Sequence, residues 1–166
     1  MTQCKLCLAE MKPSLEHRAV TEGLCRRCLA TLAGTDDAAS AGMLLEAIDA
    51  PVLLMQPNPK LVFAANRKAL ALFDKERDAV EARRGGEVFN CLQSFTQEGC
   101  GKHSNCEPCR IRLAVVGAFE EGKSSLAVST QIDVRQGDDV SPYAMQVSTE
   151  PVGEMALLRI DGFKKM

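Results

Sequence analysis

The stretch Val52-Leu53-Leu54-Met55-Gln56-Pro57-Asn58-Pro59-Lys60-Leu61-Val62-Phe63-Ala64-Ala65-Asn66 decides how this 166-residue chain folds. Two apolar runs of strand length flank a Pro-Asn-Pro-Lys turn, which predicts a hairpin of residues 52–55 and 61–64. Asn66 stands where a side-chain oxygen caps a helix, and Ala69, Leu70, Leu72 and Phe73 follow at helical spacing. Upstream, Asp37 or Ser40 can cap a helix through about Asp49, with Met43, Leu44, Ala47 and Ile48 on one stripe and Pro51 at its end. Downstream, Glu76–Arg83 reads as a short helix before Gly85-Gly86, and Ile111–Phe119 as a longer one. Three strands follow. Leu126, Val128, Thr130, Ile132 and Val134 alternate with polar residues, as do Tyr143, Met145, Val147 and Thr149, and Met155–Ile160 forms the last. Turns at 136–139 and 152–154 separate them.

This order of helix, two strands, several helices and three strands resembles the PAS domain family over residues 40–164. The join Val62-Phe63-Ala64-Ala65-Asn66 and the tail Leu157-Leu158-Arg159-Ile160-Asp161-Gly162 carry the likeness. The resemblance implies an α+β fold, an antiparallel five-stranded sheet with helices on one face, serving as a sensory or signalling module. Asp74 departs from the pattern, because many PAS domains have glycine after the capped helix. Gly99-Cys100-Gly101, then Cys106-Glu107-Pro108-Cys109-Arg110-Ile111-Arg112, resembles a narrower set, the cysteine-containing PAS domains of bacterial sensory proteins. The stripe from Met43 to Ile48 resembles the amphipathic helix through which PAS domains often dimerise; covering its own sheet is the other reading. No kinase, cyclase or helix-turn-helix region follows the PAS-like sheet, so we expect the output to lie on a partner protein such as a kinase or regulator, or in the N-terminal finger, and the dimerising-helix resemblance implies a homodimer.

Eight cysteines fall into two tetrads. Cys4-x2-Cys7 and Cys25-x2-Cys28 form the first, and a C-x2-C step lets one tight turn aim two thiolates at one ion. About 33 residues bury too little apolar surface to fold without a staple, and zinc supplies one. Residues 1–33 therefore read as a zinc-ribbon or treble-clef-like finger, with a strand at His17–Thr21 and a helix beginning near Leu24. Residues 34–39 read as a linker, and 40–166 as the PAS-like domain. The second tetrad is Cys91, Cys100, Cys106 and Cys109, with glycines either side of Cys100 and with Cys106 and Cys109 near a helix N-terminus, where thiolates are stabilised. Structural zinc and an iron–sulfur cluster both suit four thiolates, and reversible disulfides are a third use. His17 and His103 could substitute as ligands, although surface roles are the simpler reading.

Composition narrows the function. The chain carries 20 basic and 22 acidic residues, so bulk charge makes no case for nucleic acid. Two tetrathiolate sites on divalent ions, each adding −2, would bring the formal −2 to about −6. Lys5, Arg18, Arg26 and Arg27 are the residues with which a finger-based nucleic-acid or transcription-machinery adaptor would touch phosphate, the alternative function. A further alternative is an iron–sulfur or thiol–disulfide redox protein. No paired acid–base set, phosphate-binding glycine loop or nucleophile motif is present, so we expect no enzyme. Phe89-Asn90-Cys91-Leu92-Gln93 loosely resembles the cysteine stretch of flavin-binding light-sensing PAS domains, without the usual adjacent arginine. No signal peptide or membrane span is read, which with cysteines at metal spacing leads us to expect a cytoplasmic protein.

Overall fold

The computed structural model describes residues 2–11, 24–57, 60–97, 99 and 109–166. In chain order the elements are β1 (Thr2–Gln3), β2 (Glu10–Met11), α1 (Arg26–Ala33), α2 (Ala38–Leu45), β3 (Val52–Met55), β4 (Val62–Ala65), α3 (Arg67–Leu72), α4 (Gly85–Phe89), α5 (Arg110–Glu121), β5 (Ser125–Gln136), β6 (Asp139–Val152) and β7 (Met155–Lys165). Single 3-10 turns occur at Arg77–Ala79 and Leu92–Phe95. The helix expected over 76–83 is thus reduced to that first 3-10 turn, and α4, which the sequence did not suggest, begins at Gly85-Gly86. The strand read at His17–Thr21 and turn residues Asn58 and Pro59 lie outside the described residues.

The large sheet is antiparallel throughout, in the order β4-β3-β7-β6-β5. This is the antiparallel five-stranded sheet expected from the sequence. Asn66 ties its hairpin to the helices on either side. Its buried Oδ1 accepts from the Val52 and Ala69 N–H groups, each at 3.1 Å, and its Nδ2 donates to the Ala50 carbonyl at 2.7 Å, with longer bonds to Leu45 and Ile48. One side chain thereby caps α3, ends the α2 segment and starts β3.

Helices α3, α4 and α5 cover one face. Ala69 and Phe73, Val88 and Phe89, then Ile111, Val115 and Ala118 meet Leu53, Met55, Val147, Leu158 and Ile160 of the sheet. Within this core Phe73 lies 5.2 Å from Phe89 and 5.1 Å from Phe163, ring centre to ring centre. Thr149 joins sheet to helix by donating to the Ala114 carbonyl at 3.2 Å.

The opposite face carries a second core. Val52, Leu54, Ala64, Val152 and Leu157 are covered by Ala41, Leu45 and Ile48 from the α2 segment, and by Cys4, Leu24, Cys28 and Leu32 from the N-terminal segment. Burying a leucine contributes about 2 kcal/mol, so these leucines make this a true core and not a surface contact. Helix α2 covers its own sheet through Ala41 and Leu45, with Ile48 just beyond its end, whereas Met43, on the expected stripe, is 74% exposed. Helix α1 approaches the β6–β7 turn so closely that a Cβ on Gly153 would lie 2.8 Å from the Cβ of Ala33.

Candidate metal centre

A tight turn and a helix start bring four thiols together. Strands β1 and β2 pair antiparallel, Thr2 with Met11 and Gln3 with Glu10, and the chain between them doubles back through Cys4 and Cys7. The Cys4 N–H donates to the Ala9 carbonyl at 2.8 Å, and the Leu8 N–H to the Cys4 carbonyl at 2.9 Å. Leu8 sits at φ 62°, the left-handed conformation that closes this turn. The other pair comes from α1: Cys25 is its N-cap residue, and Cys28 lies in its first turn. The helix expected near Leu24 thus begins at Arg26, with the second cysteine pair at its N-terminus, where the macrodipole favours thiolate.

The Sγ atoms of Cys4, Cys7, Cys25 and Cys28 all lie within 4.8 Å of one another. Cys4 and Cys28 are 3.6 Å apart, as are Cys7 and Cys25. A tetrahedron of sulfurs at zinc–sulfur distance has edges of about 3.8 Å, so the spacing suits a metal ion. Burial of the four is uneven: Cys4 and Cys28 are buried, Cys25 half-buried and Cys7 exposed.

The backbone polarises these thiols. Burial pushes the Cys4 thiol up, but N–H groups of Cys7, Cys25 and Leu6, helped by the Cys28 thiol, outweigh it and bring Cys4 down to about 6. Cys25 is lowered chiefly by the Cys28 N–H, against burial. Cys28 is pushed up to about 12 by burial and by the neighbouring sulfurs of Cys25, Cys4 and Cys7. Without a cation, the cluster therefore resists holding four negative charges at once. A divalent ion removes that conflict, because metal binding displaces the thiol protons.

The second tetrad is described only in part. Cys91 is half-buried, bridges antiparallel to Val134 of β5, and donates its N–H to the Gly86 carbonyl at 2.8 Å. Cys109 occupies the N-cap position of α5, without a side-chain capping bond, and lies partly buried against the helical core. Cys100 and Cys106 lie outside the described residues, as do Arg18, His17, His103, Gly101 and Pro108. Lys5 and Arg27 of the N-terminal segment are exposed.

The sequence reading missed what the first tetrad rests on. Its thiols Cys4 and Cys28 belong to the same buried cluster as Val52, Leu54, Val152 and Leu157. The signal was Val52-Leu53-Leu54-Met55 itself, since an unbroken apolar strand is one buried on both faces.

Among the described residues, no helix is long and apolar enough to cross a membrane. No protein-family model matches the chain, and no curated protein matches it. Among solved structures, the chain is similar to a Rhodobacter sphaeroides LOV protein known from its crystal structure, at 12% identity and a TM-score of 0.44. The likeness covers 68% of this chain and 58% of that one, less than two thirds of its length.

Proposed function

We propose that this chain is a PAS-type sensory or signalling module in which Cys4, Cys7, Cys25 and Cys28 hold one zinc ion, and that it regulates a partner protein rather than catalysing a reaction. The observation that carries this reading is the seat of the tetrad: two of its thiols are built into the core on the sheet face opposite α3–α5. A metal ion held there couples its own occupancy to the packing of β3 and β7. Cys91, Cys100, Cys106 and Cys109 form the second proposed site, for zinc or an iron–sulfur cluster. A homodimer, a kinase or regulator as partner, and a reducing cytoplasmic setting complete the proposal.

Metal analysis with an absorption spectrum of anaerobically purified protein tests the inorganic part. Two zinc ions per colourless chain fit two structural sites, and one zinc with iron, sulfide and brown colour fits a cluster at the second. Protein with eight titratable thiols and no metal contradicts both. Hydrogen exchange of metal-loaded against chelated protein tests the coupling. Changed protection in β3 and β7 is expected; changes confined to residues 2–33 would contradict it.

A further inference from the structure

The two close sulfur pairs of the N-terminal tetrad differ in access. Cys4 is 0% and Cys28 8% exposed, whereas Cys7 is exposed and Cys25 half-buried, so Cys7 and Cys25 are the more open pair at the same 3.6 Å separation. Cys7 stands on the turn between β1 and β2 and Cys25 at the start of α1, so a bond between them would join the two halves of the finger.

We infer that Cys7 and Cys25 are a peroxide-reactive dithiol whose oxidation to a disulfide expels the metal from the site. The inference rests on the metal reading above. The Cys7 thiolate attacks one oxygen of a hydroperoxide; the O–O bond breaks, and the departing oxygen takes up a proton and leaves as water or an alcohol. Cys7 is then a sulfenic acid. The Cys25 thiolate attacks that sulfur, the S–O bond breaks, and hydroxide leaves and is protonated to water. Two sulfurs have together lost two electrons, and the peroxide has gained them. A neutral disulfide is a poor ligand, so the ion keeps only Cys4 and Cys28, too few for a tetrahedral shell. Cys4 and Cys28 belong to the buried cluster that holds Leu24 and Leu32, so oxidant reaches Cys7 before it reaches them.

The sequence makes the test clean. Trypsin cuts at Lys5, between Cys4 and Cys7, and at Arg26 and Arg27, between Cys25 and Cys28, so every pairing gives a different linked peptide. The metal-loaded full chain is treated with one equivalent of hydrogen peroxide, its free thiols are alkylated, and peptides and released zinc are measured. A Cys7–Cys25 link appearing first, with one zinc released per link, is the expected result. First links of Cys4 to Cys7, Cys25 to Cys28 or Cys4 to Cys28, or oxidation of Cys91 or Cys109 that leaves this site intact, would overturn the inference. Cys25→Ser is expected to leave Cys7 as a sulfenic acid trapped by dimedone; if that variant does not fold, the wild-type link map decides. Zinc content before peroxide reads the metal proposal separately, because a metal-free chain would defeat that proposal while its link map still decides which pair reacts.

Discussion

The Sγ of Cys4 accepts a hydrogen bond from the backbone N–H of Cys25 at 3.3 Å, across 21 residues of sequence. That bond joins the β1–β2 turn to the N-terminus of α1, and it belongs to a segment whose next layer is the sheet itself. The N-terminal segment and the sheet therefore share one buried apolar cluster, and the metal proposal has consequences well beyond that segment.

Chelation is the first. Stapling by structural zinc supplies on the order of 10 kcal/mol to small finger peptides, so removing it should unfold the N-terminal segment outright. Val52, Leu54, Val152 and Leu157 then lose the part of their cover that Leu24, Cys28 and Leu32 provide. We expect chelated protein, or Cys28→Ala, to bind the dye ANS and to melt at lower temperature while far-ultraviolet circular dichroism keeps its strand signal. Unchanged dye binding and melting would argue against a structural metal.

Asn66 carries a second prediction. Replacing it with alanine strips partners from the Val52 and Ala69 N–H groups and from the Ala50 carbonyl in a site closed to water. Unsatisfied buried groups and a lost cap together cost about 3 kcal/mol. A urea midpoint shifted to match, at constant m-value, is the expected readout.

Asp74 gives a prediction of opposite sign. Helix α3 ends with Asp74 N–H donating to the Ala71 carbonyl at 3.2 Å and Lys75 N–H to the Leu70 carbonyl at 3.0 Å, with Asp74 at φ 50°. That is the left-handed position where helices favour glycine. Asp74→Gly is expected to stabilise by up to about 1 kcal/mol, and Asp74→Val to destabilise by about 1–2 kcal/mol. Thermal melts of the two variants check both.

The cap of α2 makes stability depend on pH. The Ser40 hydroxyl, with the N–H groups of Ser40 and Ala39, holds the exposed Asp37 carboxyl below its usual 3.8. A depressed folded-state value means the contribution is present above 3.8 and fades as pH falls through the folded value. Asp37→Ala should therefore destabilise at neutral pH and differ less from the parent in strong acid. Asp37→Asn should cap at every pH. Melting temperatures of the three chains across that range test the sign.

These predictions mark where the sequence was readable. Strand β3 and the Asn66 cap lie where the hairpin and helix patterns put them, because apolar runs, a Pro-rich turn and a capping side chain all agree there. The departure noted at Asp74 proved to be a glycine-type turn made by aspartate, with its hydrogen bonds kept. Helix α4 escaped notice because two glycines lower helix propensity, while burial of Val88 and Phe89 in the helical core outweighs that cost. Strand β5 runs from Ser125 despite a left-handed Ala127, because the Ser148 hydroxyl accepts the Ala127 N–H at 2.9 Å where the ladder shifts register. No local pattern announces that pairing. Met43 likewise has the hydrophobicity of a buried stripe, but Ala41 and Leu45 hold the face that the sheet selects.

Cadmium–proton correlation NMR on the cadmium-substituted full chain tests the central claim most directly. The account predicts one cadmium resonance correlated with the β-protons of Cys4, Cys7, Cys25 and Cys28 together. A cadmium reached by fewer than four of them, or by none, would contradict it.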